Sequence, residues 1–422
     1  MIKQYMKQAL QMLRENPLIS SISIAGTALS IAMIMVVVLV FQVQSANFRP
    51  EVNRDRMMYI EFGTEVESGD NRNRGAMSSE AVRECFYTLK TPEAVSAWAD
   101  MEQSLSIPGK RMYKAYSVKY TDPGFWTIYA FRFLSGKPFT EADFRSAIPQ
   151  AVVSENVARK LYGTTEVVGK EIIIGMLSYT ICGVVSNVSR AADTSYAEVW
   201  APYSSSQSLL DASFMENMSG VFKMCLLAKT TDDFAAIRQE LKKETARYNS
   251  TKQDARINFL HNPISRMEKA IGSEGQVKVE WKDYLVETGG LLLFLLLVPA
   301  LNLLGVIQSS VQKRREELGV RKAFGATPGV LIRQILIENG VTTLLGGAIG
   351  LILSFALLPL CRDFLFKNAD TALNGDMLFQ PAVFGLALLF SLILNLLSAC
   401  VPAVHIARQQ ISDALSGNEN NN

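Results

Sequence analysis

Four stretches of the chain are apolar from end to end. "LISSISIAGTALSIAMIMVVVLVFQV" (18–43), "GGLLLFLLLVPALNLLGVIQSSV" (289–311), "VTTLLGGAIGLILSFALLPL" (341–360) and "VFGLALLFSLILNLLSACVPAV" (383–404) contain no Asp, Glu, Lys or Arg. A helix rising about 1.5 Å per residue needs about 20 residues to cross the ~30 Å hydrocarbon layer of a bilayer. Each stretch reaches that length, and with their flanks they are expected as transmembrane helices over 17–44, 284–311, 331–360 and 381–404. The first is too long for the apolar core of a secretory signal peptide, and no small-residue cleavage site follows it.

Between the spans the periodicity changes. Ile2, Tyr5, Met6, Ala9, Leu10 and Leu13 recur at helical spacing with Lys3, Lys7 and Arg14 off that face, which predicts an amphipathic interfacial helix over 1–16, ended by Pro17. The long segment 45–283 reads as mixed α/β and is long enough for one or two domains. "RMMYIEFGTEV" (56–66) and "VFKMCLLAK" (221–229) read as strands, and "TDDFAAIRQELKKETARY" (231–248) as a capped amphipathic helix leading to a strand at "RINFL" (256–260). That order predicts a βαβ layer. "PQAVVSENVARKLYG" (149–163) predicts a helix, and "GKEIIIGMLSYTICGVVSNV" (169–188) two strands reversing at Gly175.

Composition agrees with a membrane protein: 49% of residues are hydrophobic and 19% charged, against about a quarter charged in a soluble chain. Charge sets the orientation. Lys3, Lys7 and Arg14 precede the first span, Lys313, Arg314, Arg315, Arg321, Lys322 and Arg333 follow the second, and Arg408 follows the fourth, so these regions are expected in the cytoplasm. The loop 361–380 sets Arg362 and Lys367 against Asp363, Asp370 and Asp376 and is expected outside, as is 45–283. Both termini, including the tail 405–422, then lie in the cytoplasm.

Catalytic chemistry has little to work with. The two histidines, His261 and His405, fall on opposite sides of the membrane in this topology, which argues against a His-based metal cage, and neither HExxH nor GxSxG occurs. "GTTEVVGKE" (163–171) resembles a phosphate-binding loop, but it has five residues between its glycines, and Glu171 stands where a Mg²⁺-binding hydroxyl belongs. It reads as a turn between helix and strand. Outside the membrane an oxidising compartment permits a disulfide, but Cys85, Cys182, Cys225, Cys361 and Cys400, odd in number and without regular spacing, do not predict one. The spans carry no midplane ionisable group or internal repeat of the kind a secondary transporter uses. Asn302 and Asn395 are read as interhelical hydrogen-bonding residues.

The segment 312–330 is more ordered than a topological anchor requires. An amphipathic helical core (312–324) leads through the turn "GATPG" to a second helix from Val330, and Glu316 and Glu317 among the basic residues point to a specific polar partner surface. "VQKRREELGVRKAFGATPGVLIRQILIENGVTTLLGGAIGLILS" (311–354) resembles a segment of the MacB- and FtsX-like permeases of ABC transporters. Arg314, Glu317, Leu318, Gly319, Val320, Ala323, Gly325, Ala326, Glu338, Gly346 and Gly347 carry the correspondence; Glu316, Leu318 and Phe324 depart from the residues most frequent there. "FLSGKPFTEADF" (133–144), "VVSENVARKLYG" (152–163), "VVGKEIIIGMLSYTICGVV" (167–185) and "VPAVHIARQQISDAL" (401–415) are similar to other parts of the family's pattern, which is weakest over 63–112.

The resemblance implies an α-helical membrane protein with four transmembrane helices and a large two-lobed α/β extracytoplasmic domain between the first and second, its second lobe at roughly 116–205. It implies a multi-pass permease subunit of the inner, cytoplasmic membrane. Such a subunit turns ATP binding and hydrolysis in a separate ATPase into motion of its periplasmic domain, for export or extraction of a substrate from the outer leaflet or periplasm. The chain itself is then no enzyme and holds no cofactor or metal; ATP and Mg²⁺ belong to the partner. The expected partners are an ABC ATPase, a second permease copy or homologous permease forming a dimer, and the lipid membrane. A periplasmic adaptor or lipoprotein is a further candidate, and no nucleic acid is expected. Coupling to the ATPase falls to Arg314, Arg315, Glu317, Gly319, Arg321, Lys322, Gly325 and Ala326. The alternative is an FtsX-like regulator that controls an extracytoplasmic cell-wall hydrolase without moving cargo.

Overall fold

The computed structural model describes residues 47–271 apart from 63, 70 and 110–113, together with scattered positions and short helical runs over 17–33 and 275–393. The chain divides into two compact units. One comprises Met1–Phe41, Glu280–Lys367 and Leu378–Asn422, the other Gln42–Val279 with Asn368–Met377.

The second unit is built on strands β1 (Met57–Ile60), β2 (Thr64–Ser68), β3 (Asn71–Met77), β4 (Ala94–Ser106), β5 (Ala115–Thr121), β6 (Phe133–Gly136), β7 (Gln150–Ser154), β8 (Glu171–Ile174), β9 (Leu177–Val185), β10 (Val199–Pro202), β11 (Ser219–Gly220), β12 (Lys223–Leu227), β13 (Ala255–Asn258) and β14 (Ile264–Ser265). Ten of them make one sheet in the order β14-β1-β12-β4-β5-β10-β7-β9-β6, with β8 pairing both β4 and β9; the others make a four-stranded sheet, β11-β3-β2-β13. The double pairing of β8 closes β4, β5, β10, β7, β9 and β8 into a ring. Strand β4 makes this closure because it is long: its first half pairs β12, and its end, Leu105 and Ser106, pairs Ile174 and Ile173 of β8. All ring strands but β4 fall within 115–202. A closed ring leaves none of its strands as a free edge.

Continuous apolar runs in this sheet reflect burial on both faces. In β1, Met58 and Ile60 enter one buried cluster while Met57 and Tyr59 enter the other; in β7, Ala151 and Val153 enter the first and Val152 the second. The expected strand 56–66 is two strands in different sheets. After β1 the chain bends at Glu61 and Phe62, where the Asn262 amide donates to the Phe62 carbonyl (3.2 Å) and Lys269 pairs with Glu61.

The helix expected over 231–248 runs over Phe234–Ser250 behind a 3-10 turn, with Thr230 and Asp233 forming its capping box. The βαβ layer expected around it is not formed, because β12 lies in the ten-stranded sheet while β13 pairs antiparallel with β2 in the other. Its alternating burial, with Ala255 and Ile257 inside and Arg256 and Asn258 outside, is that of a one-sided antiparallel strand. A parallel crossover occurs elsewhere: β7, the helix Glu155–Tyr162 and β9, with β7 and β9 parallel. The reversal at Gly175 is present; its φ of 63° suits glycine, and the two-residue turn sets Ile174 against Leu177.

In the first unit the described helical positions are inverted relative to a water-soluble core. Thr27, Ala28, Ile31 and Ala32 are buried, as are Thr343 and Ser354, while Leu29, Leu344, Ile349 and Ile352 are exposed. A Cβ on Gly346 would lie 2.7 Å from Thr27 Cβ, and one on Gly350 would lie 2.6 Å from the Ala28 carbonyl oxygen, so glycine permits this close approach. Among the described residues no helix is long and apolar enough to cross a membrane. The segments expected as the interfacial helix (1–16) and the tail (405–422) lie outside the described residues, as do most of 284–311 and 381–404.

Candidate functional site

Arg314, Arg315, Glu317, Gly319, Arg321, Lys322, Gly325 and Ala326 all lie outside the described residues. Phe324, between them, is described, and its side chain is 89% exposed. The Val330 N–H donates to the Thr327 carbonyl (3.0 Å) just beyond the turn.

A second group of polar residues converges inside the outer domain. Glu51 and Arg54 have no exposed surface, and form an ion pair three residues apart in the chain. Glu51 Oε1 accepts from Thr194 Oγ1 (2.7 Å), Ser195 Oγ (2.8 Å) and the Ser195 N–H (3.0 Å), while Arg54 Nη2 donates to the Ala191 carbonyl (2.9 Å) and the guanidinium lies over the Phe48 ring. Burial works against ionisation of Glu51, but Arg54, Arg266 and the Thr194 hydroxyl outweigh it and hold the carboxyl below its ordinary range.

The same loop is held from a second side. Arg266 pairs with Asp193 (3.2 Å), and Lys269 bridges Asp193 (2.9 Å) and Glu61. Desolvation opposes the charge on Asp193, whose side chain keeps about half of its surface exposed, yet Lys269 and Arg266 beside it hold its carboxyl well below the usual range. Three residues apart on the short helix Arg266–Ala270, Arg266 and Lys269 present their charges to one partner. A capping box between Ser265 and Glu268 starts this helix, and Arg238 of the long helix anchors Glu268 (3.2 Å). Along the sheet a further group sets Lys119, buried over the Trp98 ring, against Asp100, which also takes Lys223 (3.0 Å).

These groups can fix loops in register, and the Thr194 and Ser195 hydroxyls that meet the Glu51 carboxylate are buried with it. Burial pushes the thiols of Cys85, Cys182 and Cys225 up to about 12, and all three are free. No group of three or more His, Cys, Asp or Glu among the described residues could hold a metal ion. His261 is exposed in the loop after β13. In 163–171, Gly163 is the left-handed cap of the preceding helix and Glu171 begins β8, where its carboxylate accepts from the Ser178 hydroxyl, so the stretch is a turn between helix and strand. The sequence did not single out Glu51, Arg54, Asp193, Arg266 or Lys269. Pairs three apart at 51/54 and 266/269 are the one local signal, and nothing in it tells a buried ion pair from a solvated one.

Fold and geometry together define an α/β domain whose loop 189–195 is tied by ion pairs to the segments at 51–54 and 266–269. Residues 20–244 match the family model of the MacB-like periplasmic core domain and 289–411 that of the FtsX-like permease C-terminal region. The chain belongs to the MacB/FtsX-like family of ABC transporter permeases. It is similar to the uncharacterized ABC transporter permease YknZ of Bacillus subtilis, with 22% identity over 422 residues, 97% of this chain and 98% of that one. Two MacB proteins, named macrolide export ATP-binding/permease proteins, match over shares of their own length below one half. That of Chromobacterium violaceum is 27% identical over 69% of this chain and 42% of its own, and that of Escherichia coli K12 is 26% identical over 78% and 47%. Among solved structures, the periplasmic region of MacB from Actinobacillus actinomycetemcomitans aligns with 15% identity and a TM-score of 0.34 over 49% of this chain and 89% of its own. The extracellular domain of YknZ aligns with 16% identity and a TM-score of 0.31 over 46% and 99%. As a permease of this family the chain is a component of the cytoplasmic membrane, and family membership implies an ABC ATPase as partner.

Proposed function

We propose that this chain is the non-catalytic permease subunit of a mechanotransmission-type ABC system. A separate ATPase docks on 312–330, and its ATP-driven closure moves the extracytoplasmic domain 45–283 through the spans, for export or extraction of a substrate from the outer leaflet or periplasm. Four spans (17–44, 284–311, 331–360 and 381–404) place both termini in the cytoplasm, and the permease acts as a dimer with itself or a homologue. An adaptor or lipoprotein outside is a further candidate partner, and ATP and Mg²⁺ are held by the ATPase.

The observation that carries the docking assignment is Phe324. A phenyl ring 89% exposed, two positions after Lys322 in the sequence, has the character of an interface anchor awaiting its pocket. The burial in the first unit, with Thr27, Ala28, Ala32, Thr343 and Ser354 inward and Leu29, Leu344, Ile349 and Ile352 outward, supports its assignment to lipid.

Docking is tested by purifying the full chain with its ATPase in mild detergent. Glu317→Lys sets a like charge against the group Glu317 meets, and Gly325→Val crowds the turn. Breaking such a charge pair costs about 2 kcal/mol or more, roughly thirtyfold in affinity. The double variant is expected at normal membrane abundance but without retained ATPase or stimulated hydrolysis. Full retention with full hydrolysis would overturn the docking assignment.

A further inference from the structure

Loop 189–195 lies in the connection between β9 and β10, two strands of the closed ring, and it is gripped by two segments that in sequence follow the first expected span and precede the second. From the side of the first span, Glu51 and Arg54 hold Thr194, Ser195 and the Ala191 carbonyl. From the side of the second span, Arg266 and Lys269 hold Asp193. The loop is internally braced, with the Ala192 N–H donating to the Ser189 carbonyl (2.9 Å) and the Tyr196 N–H to the Ala192 carbonyl (2.7 Å). Its end is fastened to the ring where Trp200 Nε1 of β10 donates to the Ser195 carbonyl (3.2 Å). Both grips are therefore joined to β10 by a path of hydrogen bonds and ion pairs.

The choice of ionic groups bears on this role. Burying Glu51 and Arg54 incurs a desolvation penalty that packed apolar side chains would avoid, and buried ion pairs are poor sources of net stability. They give directional contacts that resist sliding, which a pushing linkage needs and a merely packed loop does not.

We infer that loop 189–195 is the point at which movement of the two span-proximal segments enters the ring, with Asp193 as the positioning residue that ties the loop to the segment before the second span. This rests on the permease reading above.

The test is hydrogen exchange on the full chain with its ATPase in lipid nanodiscs, without nucleotide and with ATP trapped by vanadate. In the unaltered protein, exchange changes on trapping both in the grips, 47–56 and 261–271, and in 189–202. In Asp193→Asn the change in the grips persists while that in 189–202 falls to the level of the nucleotide-free control, with ATP hydrolysis retained; Asp193→Glu restores it. Thr194→Val, which loosens the other grip, reduces the response of 189–202 and guards against misfolding of the first variant. A nucleotide response at 189–202 that survives in both Asp193→Asn and Thr194→Val overturns the inference and leaves the permease reading intact. No response anywhere in 47–271 of the unaltered protein overturns both.

Discussion

At the scale of single residues, Asp122 makes the clearest pH-dependent contribution. It is buried at the end of β5, where Oδ2 accepts from the Tyr87 hydroxyl and the Ala97 N–H (2.8 Å) and Oδ1 from the Phe125 N–H (3.1 Å). Burial pushes its carboxyl up to about 6 despite these donors, which favour the charged form. The folded chain therefore binds a proton there that the unfolded chain, titrating near about 4, does not. Its stabilising contribution is complete below about pH 4 and is lost as pH rises through about 6. Glu51 and Asp193, whose carboxyls are lowered, act in the opposite sense: they stabilise above the ordinary carboxylate range and lose that contribution on further acidification. Asp122→Asn should lower stability by about 1–3 kcal/mol, because its amide NH₂ meets a backbone N–H. It should also remove a pH-dependent component of about 2–3 kcal/mol between pH 4 and 6. Thermal unfolding of the full chain in detergent, followed by tryptophan fluorescence across that range, reads both effects; an unchanged slope would mean that Asp122 is not the titrating group.

At the scale of elements, local signals were legible and their partners were not. The capped helix at Phe234–Ser250 and the reversal at Gly175 each have local causes, a capping box and a left-handed glycine. Strands β12 and β13 were also readable as strands, but which sheet each joins depends on residues far away in the chain, such as Trp98 opposite Lys223 and Glu67 opposite Arg256. The break between β1 and β2 was hidden for the same reason, since Lys269 and Asn262 act at that turn from two hundred positions downstream. The Gly346 and Gly350 pair is an element whose role follows from spacing once its partner helix is known. Gly350→Leu should force the helical run at 343–354 away from Ala28 and Ile31, at a cost of about 1–3 kcal/mol, read as a lower midpoint in unfolding by added sodium dodecyl sulfate. A variant as resistant as the parent would mean that this contact is not tight in the membrane.

At the scale of the whole molecule, the sequence was most informative where chemistry is repetitive and least where it is buried. Uncharged runs point to a membrane protein and flanking Lys and Arg predict an orientation, and the match to both permease family models places the chain in its class. Glu51 and Arg54 went unremarked because an isolated Glu or Arg looks the same whether it is solvated or enclosed. The central claim is that ATP used inside moves the domain outside. It is tested most directly by electron paramagnetic resonance on the complex with its ATPase in nanodiscs, with the native cysteines replaced and a nitroxide at Met176, which is 98% exposed at the β8–β9 turn. The account predicts that trapping ATP shifts the distribution of distances between labels on the two permease copies. Superimposable distributions with and without trapped ATP, in a complex that hydrolyses ATP, would contradict it.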